Sequence, residues 1–116
     1  MSNHHHINYL EIPASAIEAT KEFFVKVFGW KFIDYGPDYC CFQNAGIDGG
    51  FYRSDRKALT ESGSALVVLY SADLESSLTN VQAAAGIIVK PIFSFPGGRR
   101  FHFLDPSGNE FAVWSE

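Results

Sequence analysis

The sequence predicts an α+β fold: two tandem βαβββ modules whose curved mixed sheets surround a cavity. Short stretches of alternating polarity are separated by Gly, Pro, Asn and Asp, the pattern of strands and turns. Each half then carries one amphipathic helix that stops at a glycine, Gly29 in the first half and Gly86 in the second. The halves also overlay at a constant offset of 57 residues, which matches Ile17 to Leu74, Glu18 to Glu75, Phe24 to Val81, Gly29 to Gly86 and Phe32 to Val89. Two copies are too few for a solenoid, and the helix-then-strands order suits a paired module. In each module one helix would cover one sheet face and leave the other to line a shared concavity.

The elements follow in order. Ile7 to Ile12 alternates as a strand, with Asn8, Leu10 and Ile12 on one face and Tyr9 and Glu11 on the other, and Pro13 ends it. Ser15-Ala16-Ile17-Glu18 has the form of a capping box, after which Ile17, Thr20, Phe24, Val27 and Phe28 recur at helical spacing. Three strands follow, Trp30 to Tyr35, Tyr39 to Gln43 and Ile47 to Arg53, separated by Gly36-Pro37-Asp38 and Asn44-Ala45-Gly46. The polar run from Ser54 to Gly63 reads as a linker. Ala65 to Tyr70 is then an apolar strand, and Asp73 caps a helix carrying Leu74, Leu78, Val81 and Ala85 that Gly86 closes. Ile87 to Val89, Arg99 to Leu104 and Glu110 to Trp114 complete the strands, with a turn at Asp105-Pro106-Ser107-Gly108-Asn109.

At 116 residues, 47% hydrophobic and 19% charged, the chain has the size and balance of one globular domain. Module one would span about 7–53, the linker 54–63 and module two about 64–116. A formal charge of −4 does not provide the basic surface that phosphate neutralisation requires, so no nucleic-acid partner is expected. No run approaches the roughly 18 apolar residues of a membrane span and no signal-peptide layout is present, so no membrane partner is expected and the cytoplasm is the expected compartment. Cys40 and Cys41 are neighbours in a strand, where side chains point to opposite faces, and are expected as reduced thiols that pack. His4, His5 and His6 read either as a frayed terminus, as a loose metal-binding tract or as the remnant of a tag.

Tyr9-Leu10-Glu11-Ile12-Pro13-Ala14, Phe23-Phe24 and Phe28-Gly29-Trp30-Lys31-Phe32 resemble the first module of the vicinal-oxygen-chelate superfamily of glyoxalases, bleomycin-resistance proteins and ring-cleaving dioxygenases. Phe103-Leu104-Asp105-Pro106-Ser107-Gly108-Asn109-Glu110-Phe111 resembles that family's closing signature, and the likeness spans nearly the whole chain. It is nearest to short glyoxalase-like members of unknown substrate. The resemblance implies paired βαβββ modules, usually homodimeric, with a small-molecule ligand held inside the curved sheets. The Asp-Pro-x-Gly-Asn turn has a physical explanation without function, because Asp bonds its own backbone, Pro fixes φ and Gly or Asn accepts positive φ.

Metal-dependent members hold a divalent cation with His and Glu from inward strand positions. Aligning the signatures places those positions at Tyr9, Leu66 and Ala112, with a further one near Gly49, Gly50 or Phe51, where Asp48 is the only nearby candidate. None of these is a good ligand for a hard or borderline metal, and an unperturbed phenol titrates only near about pH 10. No cofactor is therefore expected. A divalent metal is expected only if its ligands lie outside the aligned positions.

By period two, Tyr9 and Glu11 share one face, Leu66, Val68 and Tyr70 another, and Ala112 and Trp114 a third. Together they describe an apolar, aromatic-lined ligand site with one carboxylate. Glu11 in such a cavity suits general acid or base work, with His102 as a partner if it faces inward. A bulge near Gly97-Gly98 would reverse that facing. The alternative for Glu11 is solvation, or pairing with Arg53, Arg99 or Arg100. Three functions follow: a protein that binds a small, partly apolar molecule; a lyase or isomerase using Glu11; or a dimeric interaction module whose cavity is filled by side chains.

Overall fold

The structure is a computed structural model and describes residues 3–116. Module one comprises β1 (Tyr9–Ala14), α1 (Ile17–Phe28), β2 (Lys31–Asp34), β3 (Tyr39–Gln43) and β4 (Asp48–Arg53). Module two comprises β5 (Val67–Tyr70), α2 (Leu74–Ala83), β6 (Ile87–Phe95), β7 (Gly98–Leu104) and β8 (Glu110–Ser115). The sheet orders are β1-β4-β3-β2 and β5-β8-β7-β6, each with one parallel pair and two antiparallel pairs. Two tandem βαβββ modules are therefore present, as the offset repeat predicts. The joining segment is not wholly irregular, since Thr60–Ser62 forms a 3₁₀ turn.

Both helices bury one stripe. Ile17, Thr20, Phe23 and Phe24 of α1 face inward, and Gly29 closes the helix in the left-handed region at φ 72°. Its N–H donates to the Val25 carbonyl, the bond of an αL ending, and that of Trp30 donates to the Phe24 carbonyl. The capping box does not form. The N-cap is Ala16, without a side-chain cap, and its N–H instead donates to Ser107 Oγ at 3.1 Å. Ser107 Oγ also lies 2.7 Å from Thr20 Oγ1, so the start of α1 is held by the closing turn of module two. In α2, Asp73 caps as expected by accepting from the Ser76 N–H. Ala85 rather than Gly86 takes the left-handed conformation, at φ 71°. Gly86 is needed because a Cβ there would press on Val81 and Phe23.

Two strands run through prolines, of which the sequence reading treats Pro13 as an end. Pro13 lies inside β1, opposite Tyr52, and Pro91 lies inside β6. Both strands are sheet edges, where a missing N–H need not break a ladder. The register shifts of module two fall in β6, between Ile88 and Phe93, and not at Gly97-Gly98, which belongs to the hairpin joining β6 to β7. From Arg99 opposite Ser115 to Leu104 opposite Glu110, β7 and β8 pair without interruption.

The two modules share an aromatic core. Phe24 stacks on Trp30 at 4.4 Å between centroids and meets Phe111 of β8 at 5.0 Å, while Phe23 meets Phe103 of β7 at 5.6 Å. Burying each such ring stabilises the fold by about 2 to 3 kcal/mol. A polar clamp lies beside this core. Asn109, fully buried, donates through Nδ2 to the Pro13 carbonyl at 2.6 Å and accepts at Oδ1 from the Ala58 N–H at 2.8 Å. The closing turn thus ties module one, the joining segment and module two together. Among the described residues no helix is long and apolar enough to cross a membrane.

Candidate functional site

A cleft of about 510 Å³ opens where β1 meets β5 and β8, beneath the joining segment. Leu10, Ile12, Val67 and Phe111 supply apolar walls, and the carboxylates of Glu11 and Glu110 enter it from the two modules. Its volume lies within the roughly 300 to 1,000 Å³ usual for small-molecule sites. The sheet faces opposite the helices extend from the cleft on either side.

On the first sheet, register places Tyr9, Glu11, Tyr39, Cys41, Asp48 and Gly50 on one face, with Leu10, Phe42, Gly49 and Phe51 on the core face. Tyr39 donates to Glu11 Oε2 at 3.0 Å. Its hydroxyl lies 2.6 Å from that of Tyr9, which lies 3.1 Å from Cys41 Sγ. A phenol has one proton. Since Tyr39 gives its proton to Glu11, it accepts from Tyr9, and Tyr9 in turn accepts from the Cys41 thiol. The result is a directed chain, Cys41 to Tyr9 to Tyr39 to Glu11. Burial, aided by the hydrogen bond it donates to Glu11, pushes the Tyr39 phenol well above its ordinary pKa. Gly50 is required here, because a Cβ would overlap the Tyr39 hydroxyl.

On the second sheet, the uninterrupted β7–β8 ladder puts Arg100, His102, Glu110, Ala112 and Trp114 on one face with Val68 and Tyr70. His102 is buried, and its Nδ1 lies 2.8 Å from Glu110 Oε2. The other Glu110 oxygen accepts from both the N–H and the hydroxyl of Thr60, at 2.9 and 2.8 Å. Burial alone would raise the Glu110 carboxyl, but the hydrogen bonds from His102 and Thr60 outweigh it and hold the carboxyl below its ordinary pKa. His102 Nε2 and Arg100 Nε are buried without a hydrogen-bond partner. The Arg100 guanidinium lies 5.4 Å from the ring centroids of both Phe93 and Phe95.

The structure brings together some of the expected residues and separates others. Glu11 lines the cleft, and its partner is Tyr39. It pairs with none of the arginines proposed for it, because Arg53 binds Asp38, Arg99 binds Glu75 and Arg100 stacks on phenylalanine. The hydrogen-bonded carboxylate beside His102 is Glu110, not Glu11. Val68 and Tyr70 are exposed on the second sheet, and Tyr70 packs edge-on against Trp114 at 5.2 Å. Leu66 lies just before β5 and is half-buried, while Ala112 is fully buried between Val68 and His102 and presents no surface as a ligand wall. Cys40 packs in the core, whereas Cys41 joins the polar chain. Tyr39, Cys41, Glu110 and Arg100 are additional to the expected set. Period-two spacing gives a signal for two of them, since Glu110 lies two residues before Ala112 and Arg100 two before His102.

The aligned metal positions do not fit a divalent cation. Tyr9 is a neutral phenol engaged on both sides, Leu66 and Ala112 have no donor, and Gly50 is filled by Tyr39. Among the described residues no group of three or more His, Cys, Asp or Glu side chains is placed to hold a metal. His4, His5 and His6 are exposed, with the rings of His4 and His5 stacked.

No curated protein sequence matches the chain. Solved structures share the fold at low identity. A glyoxalase-related enzyme from Fulvimarina pelagi is 18% identical with a TM-score of 0.80, the match covering 97% of this chain and 88% of that one. The fosfomycin resistance protein FosX from Listeria monocytogenes is 14% identical with a TM-score of 0.78, covering 95% and 92%. Lactoylglutathione lyase from Agrobacterium tumefaciens is 18% identical with a TM-score of 0.70, covering 96% and 93%. The family model matches residues 6–113, and the chain belongs to the Glyoxalase/Bleomycin resistance protein/Dioxygenase superfamily.

Proposed function

We propose that the protein binds a small, partly apolar molecule in the cleft between its modules and on the adjoining sheet faces, without a metal at the family's aligned positions. The observation that carries this reading is the 510 Å³ cleft, whose apolar walls are joined by charged side chains, Glu11, Arg56, Lys57 and Glu110. A cavity filled by its own side chains, as a pure interaction module would have, does not suit that volume. Exposed Tyr70 and Val68 suit a planar ligand or the surface of a second copy, and a homodimer is part of the proposal. The free thiols suit the reducing cytoplasm.

A second reading, a lyase or isomerase, is favoured by one feature. Glu11 enters the cleft already hydrogen-bonded to Tyr39, an arrangement that orients a carboxylate for moving a proton next to a carbonyl. A thermal-shift screen of planar small molecules separates the two, with hits incubated and recovered and the assembly state followed by sedimentation. Recovery of the hit unchanged supports binding. Chemical conversion that Glu11→Gln abolishes, with the melting temperature retained, would replace binding with catalysis.

A further inference from the structure

We infer that the open face of the second sheet selects planar ligands carrying a carboxylate, and that Arg100 is the residue that reads it. The inference rests on the binding reading and adds the ligand's charge and shape. Arg99 is paired with Glu75 and Arg53 with Asp38, but Arg100 has no ion pair among the described residues. Arg100 is not loose either. Its guanidinium lies against the rings of Phe93 and Phe95, both at 5.4 Å, which fixes the plane of its donors. Such stacking leaves in-plane N–H groups for an acceptor, and a carboxylate can take two of them side by side.

The neighbouring surface supplies the rest of the ligand's shape. Arg100 pairs across the ladder with Trp114, which meets Tyr70 edge-on at 5.2 Å and Phe95 at 6.5 Å. Tyr70 is 54% exposed, so this aromatic surface is open to a flat ligand. Among the described residues no acid pairs with Arg100: Glu116 accepts from Tyr70, and Glu110 is held by His102 and Thr60. A positive, pre-oriented fork beside one exposed and three half-buried aromatic rings is a recognition surface for an aromatic carboxylate.

The test compares 1-naphthoate with its neutral counterpart 1-naphthamide by calorimetric titration. Wild type should bind the naphthoate about tenfold or more tightly than the amide, and added salt should weaken only the naphthoate. Arg100→Met keeps the apolar stem between the rings and should remove that preference while leaving amide binding unchanged. Arg100→Lys, which keeps the charge without the planar fork, should restore only part of it. Melting curves close to wild type establish that both variants fold. Equal binding of the two probes, or an undiminished preference in Arg100→Met, overturns the inference while binding by this face stands. Failure of both probes to bind wild type overturns the inference and the binding reading together.

Discussion

Replacing Asn109 by alanine tests whether the closing turn is a fastener between the modules. The side chain is fully buried and makes bonds to the Pro13 carbonyl at 2.6 Å, the Ala58 N–H at 2.8 Å and Asp105 Oδ2 at 3.3 Å. Truncation removes these bonds and strands one donor, the Ala58 N–H, and two acceptors, the Pro13 carbonyl and, at the end of the longest bond, Asp105 Oδ2. A buried group left unpaired costs about 1 to 3 kcal/mol. Pro13 and Ala58 are only half-buried, so water can relieve part of that cost and the lower half of the range applies to each. With the small cavity included, the expected loss is about 3 kcal/mol, a large share of the roughly 5 to 15 kcal/mol that holds a domain of this kind. The melting temperature should fall by about 10 to 15 °C. Urea denaturation followed by tryptophan fluorescence gives the loss, and limited proteolysis should cut within residues 54–63 more readily in the variant. A loss below about 1 kcal/mol with that segment still protected would mean that the aromatic core alone holds the modules in register.

Two further expectations concern charge and metal. Burial, against the opposing pull of N–H groups from Asn109, Ser107 and Gly108, pushes the Asp105 carboxyl up to about 6. From about pH 3.9, where the unfolded carboxyl titrates, to about pH 6 the folded chain keeps a proton that the unfolded chain has lost, so stability from this group is present at low pH and declines as pH rises, by about 3 kcal/mol in all. The stability of wild type minus that of Asp105→Asn should therefore shrink between pH 4 and pH 7, and a constant or growing difference would show that the hydrogen bonds prevail over burial. In a chain with His4, His5 and His6 changed to alanine, zinc, nickel, cobalt or manganese should leave the melting temperature unchanged. A specific site at 100 times its dissociation constant would add about 2.7 kcal/mol, and a rise of about 10 °C would identify donors away from Tyr9, Leu66 and Ala112.

The fold was legible because its signals are local. Periodicity, glycine stops and the 57-residue offset all act within a single element or between whole elements. The errors cluster where a local rule meets a tertiary circumstance. Pro13 does not end its strand because β1 is an edge, and position in a sheet cannot be read from a dipeptide. The capping box at Ser15 fails because the N–H of Ala16 has a partner 91 residues away in Ser107. The site was legible only in its facing. Alternation placed Glu11, Val68, Tyr70 and Trp114 correctly on their sheet faces, but the partners of Glu11 and His102 depend on strand register. Tyr39 reaches Glu11 only because β3 and β1 flank β4, a fact of topology rather than spacing.

The occupation of Gly50 by Tyr39 bears on how such a chain could acquire a metal centre. An acidic residue introduced at position 50 alone would collide with a phenol already held by Tyr9 and Glu11, so the first step would disrupt an existing network before any ligand was gained. Tyr39 would have to become small first, which would take from Tyr9 its acceptor and from Glu11 its donor. A route to metal chemistry thus runs through several substitutions in a restricted order, each intermediate having lost the old arrangement before the new one functions. On this sheet the barrier is set by one ring crossing two strands rather than by the missing ligands themselves.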